Sequence, residues 1–524
     1  MPAPGPGSTP SASEAEEAIG GLQRYVLTGT AANYAGQLVT LTVWFFLTPF
    51  ILHRVGVTQY ALWVLVASIL AYGRLFDLGI ADAVIKYTAE HRAKGDDRAA
   101  SELIATALWL YIAIGIVISI AVYFLAPSIV GVFNVPPGEQ DTARALVRVT
   151  AVAVAVELPA ATAFAVLQGL HRFDLSNLIG SIAMLGLAAA TVTVLLLGGG
   201  VVALAAVTIP MTLLWQVPAV IAIHRIAPGM RFGLRGAQRR HVRAVASFSG
   251  ALVGISLADT IKTKSSEIVI GAALPVVAVA PFSLARRLSE LPEMLTYQFA
   301  KVLMPLSSHL HAGGEAQLLR GIFVTATRVT IGMFCAIAVP MALLADRLLA
   351  AWVGDVYAKD ADVLVILIFA GLAKATMFPT LLMLQGMDRH RPLMFFALGS
   401  AALNLVLAIS LVGPLGVTGV AWATLIATGL EVLVAVPFAL HVNGVSPWAF
   451  VGAAVVPSLV AAVPAVATTL LLVHVADPTA LWSLGLSAGF SVLVFAAAFL
   501  AMPQARQELD LVRGVPGWIA RARG

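Results

Sequence analysis

The sequence predicts an all-α polytopic membrane protein of about 14 transmembrane helices, two six-helix lobes related by a parallel pseudo-two-fold repeat plus two C-terminal helices. Three observations predict it. Hydrophobic residues make up 60% of the 524 and charged residues only 11%, where a soluble domain carries roughly 25% charged. Apolar runs near the ~20 residues that a helix needs to cross a bilayer core follow one another almost without pause. The segment Leu167-Gln168-Gly169-Leu170-His171-Arg172 recurs 217 positions later as Leu384-Gln385-Gly386-Met387-Asp388-Arg389, each copy closing one apolar run just ahead of the next. Because the runs are continuously apolar and do not alternate with polar residues, helices span and barrel strands do not.

Taken in order, residues 1–23 are rich in Pro, Gly, Ser, Ala and Glu and read as a disordered cytoplasmic tail. Glu14, Glu16 and Glu17 sit where a cleavable signal peptide needs a basic start and an apolar centre, so the first span acts as the insertion signal. Hydropathy places spans near 28–52, 58–81, 103–125, 145–168, 178–197 and 201–224, the N-lobe of residues 24–224. A basic inter-lobe loop fills 225–246. The C-lobe, 247–441, holds spans near 247–270, 275–304, 328–350, 362–385, 392–412 and 416–440. Two more, near 448–474 and 480–502, occupy 442–502, and 503–524 is a basic tail. Each repeat copy leads through an apolar run to a Gly-rich turn, Gly198-Gly199-Gly200-Val201 or Gly413-Pro414-Leu415-Gly416-Val417.

Lys and Arg collect in alternate short loops, which fixes orientation. Arg225, Arg231, Arg235, Arg239, Arg240 and Arg243 stand together with no acid among them, and Lys86, Arg92, Lys94, Arg98, Arg172, Arg320, Arg389 and Arg391 mark the other cytoplasmic loops. Both termini then lie in the cytoplasm. The net charge of +5 follows from this asymmetry and calls for no nucleic acid, although the inter-lobe loop also suits anionic membrane lipids. Six spans separate repeat equivalents, an even number, so the halves enter the membrane facing the same way. That is the parallel repeat, related by an axis along the membrane normal.

Several residues carry a resemblance. Val55-Gly56-Val57-Thr58-Gln59-Tyr60-Ala61-Leu62-Trp63, Ser68-Ile69-Leu70 and Phe76-Asp77-Leu78-Gly79-Ile80 resemble the first-hairpin signature of polysaccharide flippases of the multidrug/oligosaccharidyl-lipid/polysaccharide exporter superfamily. Ile270-Gly271, Phe282-Ser283-Leu284-Ala285-Arg286-Arg287-Leu288, Pro305-Leu306-Ser307, Trp352-Val353-Gly354, Leu384-Gln385-Gly386 and Gly416-Val417-Thr418-Gly419-Val420-Ala421 follow that pattern in order and spacing. The resemblance covers roughly residues 22–445 and implies export of a lipid-linked oligosaccharide, of polyprenyl diphosphate type, across a bacterial inner membrane by alternating access. It also implies H+ or Na+ as candidate coupling ions and other polysaccharide-assembly membrane proteins as candidate partners.

An ionisable group at bilayer depth is expensive unless it meets water or a partner, so such groups point to the transport route. Lys374 lies mid-way along the tenth span, and its repeat equivalent in the fourth is Glu157. Opposite charges at equivalent depth suit a pair that forms in one state and parts in another, a static pair, or a Glu157 that is protonated and buried. The seventh span carries Asp259, Lys262, Lys264 and Glu267, whose spacings of three allow Asp259–Lys262 and Lys264–Glu267 couples. Lys262 and Lys264 point to different sides, so at most one comfortably faces a cavity. In the eighth span Arg286 and Glu290 are four apart, which leaves Arg287 the less neutralised cation. A lipid diphosphate needs such cations, Arg for its fork of donors and Lys as a point charge. These same groups suit helix packing by ion pairs. Arg74 and Asp77 form a further couple fit for gating or for structure, and Glu431, alone in the twelfth span, suits proton or sodium binding or a polar side chain turned to the cleft.

Candidate substrate-binding residues are therefore Lys374, Arg287, Arg286, Lys262 and Lys264, and candidate gating or coupling residues Glu157, Asp77, Arg74, Asp259, Glu267 and Glu431. No Walker motif, Cys/His cluster or nucleophile elbow occurs, and the single cysteine, Cys335, sits in an apolar run. No cofactor or metal is implied. A glycan-transferring membrane enzyme would need a sizeable outer loop with catalytic groups, and the outer loops are short. A cation-coupled drug exporter of the same architecture is the nearer rival.

Overall fold

The computed structural model describes residues 36–72, 77, 79–239, 241–242 and 250–503, with backbone alone over 250–256. The expected terminal tails and Arg74 lie outside the described residues. Among these residues the protein is helical, with one isolated bridge between Asn134 and Pro275.

In chain order α1 covers Gly36–Val55, α2 Val57–Ala71, α3 Ile80–Ala93, α4 Asp97–Gly131, α5 Gln140–Gly169, α6 Phe173–Leu196 and α7 Val201–Ile226. After the inter-lobe segment come α8 Gly250–Ala273, α9 Val279–Ala300, α10 Leu303–Ala312, α11 Ala316–Leu343, α12 Ala345–Val353, α13 Ala361–Gly386 and α14 Arg391–Asn443. The chain ends on α15, Pro447–Ala476, and α16, Leu481–Leu500. Every stretch expected to span overlaps a helix, and ten helices among the described residues are long and apolar enough to cross a membrane. α2 is short at 15 residues, and α8 and α9 are rich in the intramembrane charges.

Helix α14 is two crossings in one. Its 53 residues would reach ~80 Å at 1.5 Å per residue, against ~30 Å of hydrocarbon. The chain turns back at Gly416, whose φ of 61° and ψ of −141° are open to glycine and to few others. The Gly-rich turn read from sequence is this bend. Two amphipathic helices, α3 and α10, were not among the expected spans, and the stretch near 328–350 divides into the C-terminal part of α11 and the short α12.

The repeated hexapeptide folds twice in the same way. His171 and Asp388, equivalent positions, are both left-handed, with φ of 58° and 55°. Arg172 N–H donates to the Leu167 carbonyl at 2.9 Å and Arg389 N–H to that of Leu384 at 2.8 Å. The paired glycines explain the rest of the motif. A Cβ on Gly169 would lie 2.8 Å from the Ile85 carbonyl oxygen of α3, and one on Gly386 would lie 2.3 Å from that of Met304 in α10. In each half the amphipathic helix therefore closes on the end of the long helix where only glycine fits.

Two bundles result. In the first, α5 packs on α3, α4 and α7, with α6 on α7; in the second, α14 lies on α8 and α13, and α13 on α9, α10 and α11. α15 and α16 stack on α11 through Ile331, Cys335, Ala461, Ala465 and Phe495. The two halves join through α2, which packs on α8 and α9, and at one rim. There Asn134, in the α4–α5 turn, donates from its side chain to the Ala272 carbonyl at 3.0 Å and from its backbone to that of Gly271 at 3.2 Å. Trp352 of α12 donates its indole N–H to the Phe45 carbonyl of α1 at 2.7 Å and stacks on that ring. The inter-lobe segment is tied to α4, with Arg231 N–H on Ser101 Oγ at 2.9 Å and Gln238 N–H on Thr106 Oγ1 at 3.0 Å.

Candidate functional site

Behind the joined rim, between the bundles, lies a cavity of about 910 Å³. The N-lobe contributes Trp44 and Phe45 from α1, Trp63 from α2 and Glu157 from α5; the C-lobe contributes Lys264 and Glu267 from α8 with Arg286, Arg287 and Glu290 from α9. Asp77 and Trp352 also line it. Helices of ordinary apolar composition thus gather seven charged residues around one hollow, an arrangement that low-dielectric surroundings tolerate only where water or charge partners are at hand.

Several side chains stand as the spacing indicated. Arg286 approaches Glu290 at 3.9 Å, and Glu267 lies equally near at 3.8 Å. The Arg286 Nη1 also donates to the Thr263 carbonyl at 3.2 Å, which links α9 to α8. Arg287 has no carboxylate within ion-pair reach among the described residues. Its guanidinium rests instead on indole faces, 4.4 Å from the Trp44 ring and 6.0 Å from that of Trp63. Lys262 and Lys264 do point apart, Lys262 toward α14 and Lys264 into the cavity.

Other expected pairings are corrected. In this conformation Glu157 and Lys374 are not paired, which rules out a static pair: Lys374 Nζ lies 3.5 Å from Asp259 and 3.4 Å from Glu293, so it ties α13 to α8 and α9 inside the second bundle and is not among the residues lining the cavity. Asp259 therefore answers Lys374 and not Lys262, which is bonded to Glu431 across α8 and α14. Glu431 is not alone. Glu267 answers Arg286 and not Lys264. The common cause is geometric, because a partner on a neighbouring helix points inward whereas a partner three residues along the same helix shares its limited arc of surface. Asp77 accepts hydrogen bonds from the Tyr111 hydroxyl and, at 3.3 Å, the Ala81 N–H, so it anchors the start of α3 while facing the cavity.

Sequence reasoning passed over the aromatic wall. Trp44 and Trp63, 6.1 Å apart between ring centroids, count toward hydropathy and vanish into it. The available signal was depth, since tryptophan favours membrane interfaces and Trp44 falls mid-span. Glu293 shares the eighth span with the candidate cations, and its partner Lys374 comes from another helix that spacing does not reach.

A family model described as "Polysaccharide biosynthesis protein" matches residues 56–361, more than half of the chain. The chain belongs to this family. No curated protein matches the sequence at significance. Among solved structures, a lipid II flippase, MurJ, in an inward closed conformation aligns at 15% identity and a TM-score of 0.70, over 90% of this chain and 99% of the other. An inward-facing multidrug resistance MATE transporter of the MOP superfamily aligns at 15% identity and 0.69, over 77% and 94%. A MOP superfamily transporter from Pyrococcus furiosus aligns at 15% identity and 0.58, over 79% and 95%. This member of the polysaccharide biosynthesis family thus has the fold of the multidrug/oligosaccharidyl-lipid/polysaccharide exporters and is a multi-pass membrane protein.

Proposed function

We propose that the protein flips a lipid-linked oligosaccharide or polysaccharide precursor from the cytoplasmic to the outer leaflet of a bacterial inner membrane by alternating access. The observation that carries this reading is the cavity between the bundles, with Lys264, Arg286 and Arg287 on its wall. A diphosphate entering it would meet two guanidinium forks and an ammonium, the groups suited to phosphate oxygens. The sugar headgroup occupies the wet hollow while the polyprenyl tail remains in lipid. Fourteen crossings with both termini cytoplasmic, the orientation that Lys and Arg dictate, put the Asn134 and Trp352 rim on the outer side. On that assignment the structure is closed outward.

The family description and the likeness to a lipid II flippase support a glycan cargo. The MATE likeness and the acids Glu157, Glu267 and Glu290 on the same wall favour a cation-coupled drug exporter as second reading. Reconstitution separates the two. Purified protein in liposomes is expected to speed translocation of a fluorescent lipid-linked oligosaccharide and to leave ethidium efflux at background; efflux of the drug cation with no effect on the glycan lipid would reverse the assignment.

A further inference from the structure

The cation best placed to meet a diphosphate is covered by tryptophan. Arg286, one residue earlier, is held by Glu267 and Glu290, and Lys262 and Lys374 also have carboxylate partners. Arg287 alone among these four has no carboxylate within ion-pair reach among the described residues, and it rests on indole faces, Trp44 at 4.4 Å and Trp63 at 6.0 Å, whereas the Phe282 ring 5.6 Å from Arg286 only adds to that residue's carboxylate partners. This contact joins the two halves of the sequence: both tryptophans lie on the N-lobe helices α1 and α2, and Arg287 lies on α9 of the C-lobe. All three line the cavity.

An indole face attracts a cation through its quadrupole, and by the same electron density it attracts the polarised C–H face of a pyranose ring. A guanidinium resting on indole is held less firmly than one forked onto phosphate oxygens by charge-assisted hydrogen bonds. We propose that Trp44 and Trp63 form a pyranose-stacking subsite, which Arg287 covers in the empty carrier and uncovers when its guanidinium engages the lipid diphosphate. Sugar recognition is thereby conditional on phosphate recognition. Engagement also removes one contact between the N-lobe and C-lobe helices that line the cavity. This inference rests on the glycan-lipid reading and specifies how the same cavity selects its cargo.

The test uses full-length protein in nanodiscs with two probes, decaprenyl diphosphate and the same lipid carrying one glucose or one N-acetylglucosamine. Affinities are compared for the wild type and for Trp44→Leu, Trp63→Leu, Trp44→Phe and Arg287→Ala. The wild type is expected to prefer a glycosylated lipid by roughly tenfold. Trp44→Leu and Trp63→Leu should abolish that preference while binding of the bare diphosphate lipid holds or rises. Trp44→Phe, which keeps an aromatic face and guards against misfolding, should retain most of it. Arg287→Ala should weaken binding of both lipids by about tenfold. In the wild type the bare lipid should also change tryptophan fluorescence, and Trp44→Phe and Arg287→Ala should remove that change. A sugar preference that survives Trp44→Leu and Trp63→Leu, or an equal loss for both lipids, overturns the subsite and leaves the flippase reading standing. Failure of the wild type to bind either lipid above plain phospholipid overturns both.

Discussion

Removing the Lys374 ammonium would leave Asp259 and Glu293 facing each other across α8 and α9 with nothing between them. With Glu293 largely enclosed and 35% of the Lys374 side chain exposed, Lys374→Ala is expected to destabilise the second bundle by ~1–3 kcal/mol, less than the ~3–5 of a fully buried pair. Adding Glu293→Gln should recover part of the loss. Thermal unfolding in detergent measures both, and an unchanged midpoint for Lys374→Ala would return that residue to the transport route. Lys264 predicts the opposite profile. It lines the cavity with no carboxylate within ion-pair reach among the described residues, so Lys264→Ala should keep stability within ~0.5 kcal/mol and slow glycan-lipid flipping by about tenfold. At this scale depth was legible, as was the Arg286–Glu290 couple within one helix, and partnership between helices was not. The cost of charge in hydrocarbon marked Glu157, Lys262, Lys264, Glu267, Arg286, Arg287, Lys374 and Glu431 from sequence. The pairs Lys374–Asp259 and Lys262–Glu431 arise between helices far apart in the chain, and no spacing rule reaches them.

Among the elements, the paired turns closing α5 and α13 carry the internal repeat most plainly. Gly386→Ala would push a methyl against the Met304 carbonyl oxygen, 2.3 Å from the new Cβ, and the Ser307 hydroxyl at 2.1 Å. A loss of ~1–3 kcal/mol is expected from such overpacking. Gly429, inside α14, has nothing within 4 Å of its would-be Cβ, so Gly429→Ala should stabilise by ~0.5–1 kcal/mol through helix propensity. Detergent melting curves of the two variants check the contrast; equal shifts would mean that α10 does not close on α13 as described. The long apolar helices and the bend at Gly416 could be read from hydropathy and from Gly and Pro placement. Helices α3 and α10 could not, because they are short and amphipathic and a window tuned to membrane thickness averages them away.

Across the whole molecule, the parallel arrangement of two bundles followed from the even number of spans between repeats, and the central cavity followed from charges that had to be gathered somewhere. What sequence left open was the conformation, since rim contacts such as Asn134 to Gly271 and Trp352 to Phe45 join segments by irregular backbone and single side chains that carry no periodic signal. Alternating access requires that the bundles part at this rim when cargo is carried through. Val132 and Val277 stand exposed on its two sides. Spin labels at those positions, with Cys335 replaced by alanine, would report their separation by pulsed electron resonance in liposomes. One short distance is expected in the empty protein, with a second, longer population that grows when lipid-linked oligosaccharide is added. A single short distance in protein that is actively flipping the glycan lipid would contradict that expectation.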